Sequence, residues 1–381
     1  MNSRVMFPPL LYSLSLLIAL GVAAVTGTLS PAVAAACDAP AAVCDWQDRI
    51  VGIKTPNMIA SGTVLPGGYI VTNHHVAEDH AQVITRDAGG VITRATPQPH
   101  DVDVDLVLLR VQGAEVTPPV PEQVTLSAGR QQLFVVAFDQ GRNGPRVYRP
   151  GDWAQYPKDG ASTRARIHTN ANALPGNSGG AVVDAEGALV GILASGDGKI
   201  SEVIPAVHIF ATADRMSASH AVPFSRVGRA IRECADALYD SASIQRDPPA
   251  DLVSVIETRC LESGNKQLLD QAGQSFGRWW MFAQSRSFLE RSLDLDPDSP
   301  NSLMSLAVTL HLDRDLAGEL PLLKRYLAID PTNAQALRMA VQVAGGVGDR
   351  EFGEQALDLM RRHNPAAVPL AESFLKQAFG D

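Results

Sequence analysis

The first half of the chain shows short apolar runs separated by glycine-containing turns. Residues 62–65 and 69–72 are largely apolar and flank the turn Pro-Gly-Gly at 66–68, which is typical of a β-hairpin. The turns at 88–90 and 184–187 lie between apolar runs in the same way. Many short strands with turns at regular spacing favour an antiparallel barrel or sandwich for this half of the chain.

The second half of the chain has helical spacing and repeats itself. Residues 224–238 already show this spacing, and the polar, proline-rich stretch 245–251 indicates a linker. Beyond the linker, three sets of positions recur every 34 residues: Pro297, Pro331 and Pro365; Leu269, Leu303 and Leu337; Leu289, Leu323 and Leu357. We expect the leucines to lie between paired helices and each proline to follow the second helix of a pair. The period resembles that of tetratricopeptide repeats. A non-repeating helical bundle is the alternative.

The first 36 residues have the order of a secretory signal. Arg4 is followed by an uncharged apolar run at 10–25 and by three alanines at 34–36. A transmembrane anchor is the alternative, but the run is short and is followed by glycine and proline. Ala-Ala-Ala-Cys also resembles a lipoprotein cleavage box, which would lipidate Cys37. We therefore expect a periplasmic or secreted protein, with a lipoprotein as the less favoured alternative.

Composition and charge narrow the classes of partner. The 381 residues are enough for two globular domains, and the net charge of −9 favours binding to neither nucleic acid nor an anionic membrane. Four cysteines suit disulfides in an exported protein. Of the three possible pairings, proximity favours Cys37–Cys44 and Cys234–Cys260. No cysteine lies in a redox or zinc motif.

A glycine-rich segment supplies a candidate nucleophile. Acyl transfer by serine requires a hydroxyl, a base, a group that orients the base, and donors for the oxyanion. Ser178 lies in Gly176-Asn177-Ser178-Gly179-Gly180, where the glycines permit a turn that directs several N–H groups into one hollow. Taken alone, the segment could also be an ordinary glycine-rich loop.

The candidate base and carboxylate each have rivals nearby. His75 lies at the end of a predicted hairpin strand, and His74 is its neighbour. Asp105 precedes an apolar run, where it could accept from a histidine ring, and Asp101 and Asp103 are close by. Each of these residues alone could be a solvated loop residue.

Taken together, the three segments resemble the trypsin-like serine peptidases, most closely the HtrA (Deg) branch. Residues 61–76 end in the Thr-Asn-x-His-Val pattern of that branch, residues 105–111 are similar to its Asp-Leu strand, and residues 168–182 to its nucleophile loop. The resemblance spans residues 50–234 and selects His75, Asp105 and Ser178. It implies a double β-barrel of the chymotrypsin type, with no metal and no organic cofactor. By position, it makes Gly176, Asn177 and Ser178 the oxyanion donors.

The resemblance also implies a substrate site. Asn172 occupies the position at the base of the specificity pocket, where no carboxylate is present to pair with a basic side chain, so small or medium apolar P1 residues are expected. Ala194, Ser195 and Gly196 would pair with the substrate backbone. Asn177 stands where zymogen-type trypsins carry aspartate to pair with a new N-terminus. We therefore expect activity without cleavage between residues 38 and 50.

The chain departs from the HtrA branch after the peptidase, because tetratricopeptide-like repeats stand where that branch usually has a PDZ domain. We divide it into a signal peptide (1–36), a peptidase domain (37–240), a linker and helix (241–265) and helical repeats (266–381). The sequence thus predicts an exported serine endopeptidase that acts on proteins or peptides and binds a protein partner through its repeats. Nucleic acid is not expected as a partner, and a membrane only if Cys37 is lipidated. The alternatives are a catalytically silent scaffold or holdase, and an esterase. The order His, Asp, Ser and the expected absence of a Gly-x-Ser-x-Gly elbow disfavour the esterase.

Overall fold

The computed structural model describes residues 37–117, 132–141, 143–157, 163–196 and 199–380. The expected signal at residues 1–36 lies outside them. The chain divides into Met1–Asp38 and a second unit, Ala39–Asp381, to which all the elements below belong. In the described ranges, no helix combines the length and the apolar character needed to cross a membrane.

Six antiparallel strands form a closed barrel. They are β1 (Ile50–Lys54), β2 (Ile59–Val64), β3 (Ile70–Thr72), β4 (Val83–Arg86), β5 (Ile92–Pro97) and β6 (Val107–Val111). Their order around the barrel is β1-β2-β3-β6-β5-β4. The predicted hairpins β2–β3 and β4–β5 are confirmed. Gly67 and Gly68 have φ angles of +92° and +86°, which only glycine adopts freely, and this permits the tight turn between β2 and β3.

Seven further strands form a second antiparallel sheet that curls into a half-barrel. They are β7 (Leu133–Asp139), β8 (Gly144–Val147), β9 (Ala154–Gln155), β10 (Ile167–Thr169), β11 (Ala181–Asp184), β12 (Leu189–Gly196) and β13 (Ser201–Pro205). Their order is β8-β7-β11-β12-β13-β10-β9, and β11–β12 is the third predicted hairpin. The expectation of a double β-barrel of the chymotrypsin type is confirmed.

One apolar cluster joins the two sheets. Val71 and Leu108 from the first barrel belong to the same buried cluster as Val136 and Ile192 from the second sheet, and all four side chains are fully buried. Burial of an aliphatic side chain stabilises a fold by about 1.5–3 kcal/mol. The cleft between the sheets is therefore bounded by a continuous core.

The half of the chain that carries the two sheets, which we call the peptidase-like half (residues 39–241), also contains helices. They are α1 (Ala41–Cys44), α2 (His74–Ala77), α3 (Val207–Asp214) and α4 (Ala221–Ser241), with 3-10 turns at Asp45–Arg49 and Ala218–His220. The helix α4 contains the segment predicted from its spacing. Its buried residues Phe224, Ile231 and Leu238 recur every seven positions and therefore lie on one face.

The helical region contains eight further helices. They are α5 (Ala250–Ser263), α6 (Lys266–Arg278), α7 (Phe282–Leu295), α8 (Pro300–Leu312), α9 (Leu316–Ile329), α10 (Ala334–Val347), α11 (Arg350–His363) and α12 (Val368–Phe379). Helices α6, α8 and α10 begin 34 residues apart, and so do α7, α9 and α11. The N-cap residues Asn265, Ser299 and Asn333 keep the same step, and each side chain accepts a hydrogen bond from a first-turn amide.

The recurring leucines and prolines have distinct places in this region. Leu269, Leu303 and Leu337 are almost completely buried, and Leu289 and Leu323 are fully buried. The three prolines lie just beyond the ends of α7, α9 and α11, which agrees with their inability to continue a helix. The helices are thus organised in pairs. Their assignment to the tetratricopeptide class stays a prediction, as do the domain limits.

A disulfide bond joins the peptidase-like half to the first helix of this region. Cys234 on α4 is bonded to Cys260 on α5, which confirms that predicted pairing. Cys37 and Cys44 are also disulfide-bonded, and no described cysteine is free. Closing a loop of this length stabilises a fold by about 2–4 kcal/mol.

Candidate active site

His75 and Asp105 form a direct side-chain pair. His75 lies on α2, the single helical turn after β3, and its Nδ1 is 2.7 Å from Oδ2 of Asp105. The backbone amide of His75 donates to Oδ1 of the same carboxylate over 3.0 Å. The side-chain amide of Asn73 donates to the Asp105 backbone carbonyl over 3.1 Å. These bonds fix the imidazole orientation and leave Nε2 as the ring nitrogen available for proton transfer.

The carboxyl group of Asp105 is held in its charged form. Its burial alone would raise its pKa, but the charge and hydrogen bonds of His75, together with the Arg166 guanidinium, keep the pKa below its usual value. Asp105 is therefore ionised near neutral pH. An ionised carboxylate in this position stabilises the imidazolium that forms when a histidine takes up a proton.

The neighbouring His74 has a different environment. Its ring is stacked on Phe224 with 4.1 Å between the ring centroids, and its side chain is buried. Burial, helped by the nearby His100, lowers the pKa of His74 to about 4. A buried neutral ring without access to the cleft is unsuited to act as the base. The structure thus places His75, and not His74, beside the carboxylate.

The two rival carboxylates have other partners. Asp101 accepts two hydrogen bonds from the Arg215 guanidinium, at 2.9 and 2.5 Å. Asp103 forms an ion pair with Arg164. Of the three aspartates considered from the sequence, only Asp105 contacts a histidine ring at hydrogen-bonding distance.

Ser178 lies in the loop between β10 and β11, and this loop is bonded to the first barrel. The Ser61 amide donates to the carbonyl of Ser178 over 2.8 Å, and the Ser61 and Thr63 hydroxyls donate to the carbonyls of Gly176 and Gly179. A Cβ on Gly179 would lie 2.4 Å from the Thr72 hydroxyl, at the end of the strand that leads into α2. The loop of the candidate nucleophile therefore contacts the strand that presents His75.

The Ser178 hydroxyl donates to the carbonyl of Ala194 over 3.0 Å. Among the described residues this is its only hydrogen bond, so it is not bonded to the His75 ring. Catalytic hydrogen bonds are often long or misaligned in an enzyme without substrate and tighten when substrate binds.

Two amides in the nucleophile loop are available as oxyanion donors. The amide of Asn177 donates to the Leu174 carbonyl over 3.0 Å and is therefore already used. This corrects the expectation of three donors. The amides of Gly176 and Ser178 have no acceptor in the described part of the chain. Gly176 has a φ of +93°, a conformation that is strained for other residues.

The Asn177 side chain supports this loop from within the second sheet. Its carbonyl oxygen accepts from the Leu174 amide over 2.7 Å, and its NH2 group donates to the Tyr148 hydroxyl over 2.9 Å. It also donates to the Phe138 carbonyl over 3.3 Å. The side chain is almost fully buried, so these internal bonds hold the loop without any charged N-terminus.

The predicted substrate residues lie on two neighbouring segments. The Asn172 amide donates to the Arg149 carbonyl over 3.0 Å. Ala194, Ser195 and Gly196 form the end of β12. The register between β12 and β13 shifts between Leu193 and Ser195, so Ala194 has no partner in that pairing.

A buried polar cluster behind this strand was missed from the sequence. It consists of Glu202 on β13 with Lys266 and Asp270 on α6; the Lys266 Nζ lies 2.6 Å from Glu202 Oε1 and 2.8 Å from Asp270 Oδ2. The Ser195 hydroxyl donates to Glu202 Oε2 over 2.8 Å. Burial opposes ionisation of Glu202, but the Lys266 ammonium lowers its pKa below the usual value. Residues this far apart in sequence left no local signal by which to find the cluster.

A second buried pair lies beside this cluster. The Nε2 of His168 on β10 is 2.9 Å from Oδ2 of Asp296, which follows α7, and both side chains are almost fully buried. The helical region is therefore joined to the candidate substrate strand and its neighbours by buried polar contacts.

The segment Gly176-Asn177-Ser178-Gly179-Gly180 does fit the Gly-x-Ser-x-Gly pattern of the α/β-hydrolases, which corrects the expectation that this pattern is absent. In that class the serine lies on a turn from a strand into a helix. Here the segment that follows Ser178 enters the strand β11. The structural context is thus not that of a nucleophile elbow.

Comparison with known proteins agrees with this geometry. Residues 60–192 match the family model of the trypsin-like peptidase domain. Over these residues the chain is therefore similar to trypsin-like peptidases. Probable periplasmic serine endoproteases described as DegP-like are similar to it over 223 residues: one from Pseudomonas fulva (strain 12-X) is 27% identical, and one from Pseudomonas savastanoi pv. phaseolicola (strain 1448A / Race 6) is 26% identical. The matches cover 56% of this chain and 46% of each relative, so the chain matches about half the length of these relatives.

Two solved structures are also similar to the chain. A crystal structure of an inactive form of Rv3671c protease is 20% identical, with a TM-score of 0.39, and covers 48% of this chain and 100% of that one. A mutant of Rv3671c from M. tuberculosis H37Rv, also in an inactive form, is 21% identical, with a TM-score of 0.38, and covers 46% of this chain and 89% of that one.

Proposed function

We propose that this protein is a serine endopeptidase whose catalytic triad is His75, Asp105 and Ser178. The observation that carries the proposal is the 2.7 Å contact between Asp105 Oδ2 and His75 Nδ1 within a trypsin-like peptidase domain. The contact between the Ser178 loop and the strand that leads into α2 supports it.

In the proposed reaction, Ser178 Oγ attacks the carbonyl carbon of the peptide bond while Nε2 of His75 takes the hydroxyl proton. Asp105 stabilises the resulting imidazolium. The amides of Gly176 and Ser178 bind the oxyanion, each contributing about 3 kcal/mol to the stability of the transition state. His75 then gives its proton to the leaving amine, and water repeats the sequence to release the acyl group and restore the serine.

For substrate binding, we propose that Ala194, Ser195 and Gly196 pair with the substrate backbone as an added strand. Asn172 would lie at the base of the pocket and favour small or medium apolar side chains. The buried side-chain bonds of Asn177 support a loop that needs no new N-terminus, so the protein would act without cleavage between residues 38 and 50.

We further propose that the protein is exported and that its helical region binds a protein. Export is supported by the order of charged, apolar and small residues at the N-terminus and by the periplasmic description of the similar proteases. Protein binding is supported by the paired helices at 34-residue steps, an arrangement that in repeat proteins creates extended binding surfaces.

Replacement of Ser178 tests the catalytic proposal. We expect Ser178→Ala to lower kcat on a peptide substrate by about six orders of magnitude, because the nucleophile is removed while the fold is kept. The matched control is Ser254→Ala on the exposed face of α5, which should leave turnover unchanged. Equal cleavage of casein by Ser178→Ala and the unaltered protein would exclude Ser178 as the nucleophile.

One observation favours a second candidate, a catalytically silent scaffold that binds proteins. The Ser178 hydroxyl is bonded to the Ala194 carbonyl and not to His75. A fluorophosphonate reagent distinguishes the two candidates, since it modifies only an activated serine. A covalent adduct at Ser178 supports the peptidase, and its absence in the folded protein supports the scaffold.

A further inference from the structure

A cavity of about 380 Å³ lies between the peptidase-like half and the helical region. One wall is the segment 100–105, which ends at Asp105. Another is α4, and the third is the turn between α5 and α6. Cavities from about 300 Å³ upward accommodate small organic ligands. The cavity is separate from the cleft of Ser178, whose loop does not line it.

Apolar side chains form much of the cavity surface. They come from the segment before β6, from α4 and from the end of α7: Val102, Val104, Phe224, Val227, Ile231 and Leu295. Such a surface favours the hydrocarbon part of a ligand over water.

Arg166 lines the same cavity, and its side chain forms a single long hydrogen bond among the described residues. Its side chain is 5% exposed, yet its only hydrogen bond in the described part of the chain is to the Thr163 carbonyl, at 3.5 Å. A guanidinium group has five N–H donors. No Arg166 nitrogen is among the described atoms that are both fully buried and unbonded, so the donors without a protein acceptor face the accessible space of the cavity.

In the described part of the chain, no acidic side chain around the cavity accepts a hydrogen bond from Arg166, and each has another basic partner. The pairs are Asp101 with Arg215, Asp103 with Arg164, Asp105 with His75, and Glu262 with Arg259. Lys266, the other buried cation at the wall, is bonded to Glu202 and Asp270. Arg166 acts on Asp105 through its charge, without a hydrogen bond, and is thus the buried cation at this wall whose N–H groups are left to bind an anion from outside.

We propose that this cavity binds a small aliphatic monocarboxylate. The carboxylate accepts two hydrogen bonds from the Arg166 guanidinium, the geometry that suits these two groups best. The hydrocarbon chain packs against the apolar wall formed by Phe224, Val227 and Ile231. The ligand would lie beside the buried residues that support the catalytic pair and outside the substrate cleft.

Binding of octanoate to the full chain carrying Ser178→Ala tests the proposal by calorimetry. This protein is used so that the result is independent of peptidase activity. We expect one octanoate per chain. Octanamide, which has the same hydrocarbon chain without the charge, should bind at least about tenfold more weakly, since a hydrogen bond to a charged group contributes about 1.5–3 kcal/mol.

Variants locate the site. Arg166→Gln should weaken octanoate binding by about tenfold or more, whereas Arg110→Gln, at an exposed position on β6, should not change it. Val227→Phe fills the apolar end of the cavity and should also weaken octanoate binding. If Arg166→Gln does not fold, the binding of octanoate to Val227→Phe tests the site instead. The proposal is overturned if octanoate does not bind at millimolar concentration, if octanamide binds equally well, or if the folded cavity variants bind octanoate as tightly as the unaltered site.

Discussion

His74 and His75 are adjacent in sequence and lie in opposite environments. The His74 ring is stacked against Phe224 in the interior, while His75 contacts Asp105 at the cleft. Because both residues are histidines, the difference between their environments comes from the fold and not from the side chains themselves. One turn of helix at α2 directs the two side chains to different sides.

This difference predicts opposite outcomes for two neighbouring substitutions. His75→Ala should lower kcat by about six orders of magnitude, because the base is lost. His74→Phe should leave kcat within a few-fold of the original, because an apolar ring can replace a buried neutral one. The measurement is kcat on a peptide substrate, with circular dichroism as the check on folding. If His74→Phe lost activity as fully as His75→Ala while remaining folded, the assignment of the base would be wrong.

At the scale of elements, α4 supports the turn that carries His75. Gly228 on α4 lies so close to the segment after α2 that a Cβ would be 2.3 Å from the Glu78 carbonyl oxygen. Arg232, one turn later, donates to both carboxylate oxygens of Asp79, at 2.8 and 3.1 Å. The position of α2 therefore depends on a helix more than 140 residues further along the chain.

We expect Gly228→Ala to affect both stability and activity. The added methyl group forces α4 and the Glu78 turn apart, which costs about 1–3 kcal/mol in the free energy of unfolding. Displacement of His75 by even a fraction of an ångström should reduce kcat by about 10- to 100-fold. Gly144→Ala is the control, since its Cβ would meet nothing within 4 Å. Equal kcat values for the two variants would show that α4 does not position α2.

The helix pair α8–α9 contains a buried carboxyl group whose ionisation should be visible in stability. Glu319 is fully buried, and its Oε2 lies 3.0 Å from Nδ1 of His311. Burial raises the pKa of Glu319 to about 7, although His311 opposes the increase. In the unfolded chain the pKa of a glutamate is about 4.3. Between these two values the folded state holds more protons, so the free energy of unfolding falls as pH rises.

Glu319→Gln should remove the contribution of this carboxyl group to the pH dependence of the free energy of unfolding. From pH 5 to pH 8, the unaltered protein should lose about 1–3 kcal/mol more stability than the variant. Urea unfolding at both pH values measures the difference. The exposed first-turn residue of α11 provides the control Glu351→Gln, which should behave like the unaltered protein. A variant that kept the original pH dependence would place the titrating group elsewhere.

At the scale of the whole molecule, buried polar contacts join the peptidase-like half to the helices. The Glu202, Lys266 and Asp270 cluster joins β13 to α6, and His168 and Asp296 join β10 to the end of α7. Buried ions of this kind require all their partners, because a charge left alone in the interior is strongly unfavourable. The helical region thus helps to stabilise the second sheet, which contains β10 and β13.

Lys266→Met should therefore destabilise the whole chain by about 3–5 kcal/mol, because it leaves two buried carboxylates without their ammonium partner. Lys324→Met breaks an ion pair with Asp349 at the surface and should cost about 1 kcal/mol or less. Thermal unfolding with separate signals for strand and helix measures both effects. If Lys266→Met lost the helical signal at a lower temperature while the strand signal was unchanged, the helices would not stabilise the second sheet.

Local patterns were sufficient for much of the fold. The glycine turns predicted three hairpins, since positive φ angles at residues such as Gly67 depend only on local sterics. The 34-residue step anticipated where the helices begin, because Asn265, Ser299 and Asn333 cap them locally. Three short motifs supplied the candidate residues His75, Asp105 and Ser178.

Long-range contacts decided the rest. The hydrogen bond from the Asn177 amide to Leu174, the cluster around Lys266 and the single hydrogen bond of Arg166 among the described residues were not visible in the sequence. Whether a polar group is satisfied depends on every side chain that folding brings to it, including those far away along the chain. The sequence by itself therefore determined the elements and the candidate residues Ser178, His75 and Asp105. Only the tertiary structure decided which polar groups are paired, and which remain free to bind.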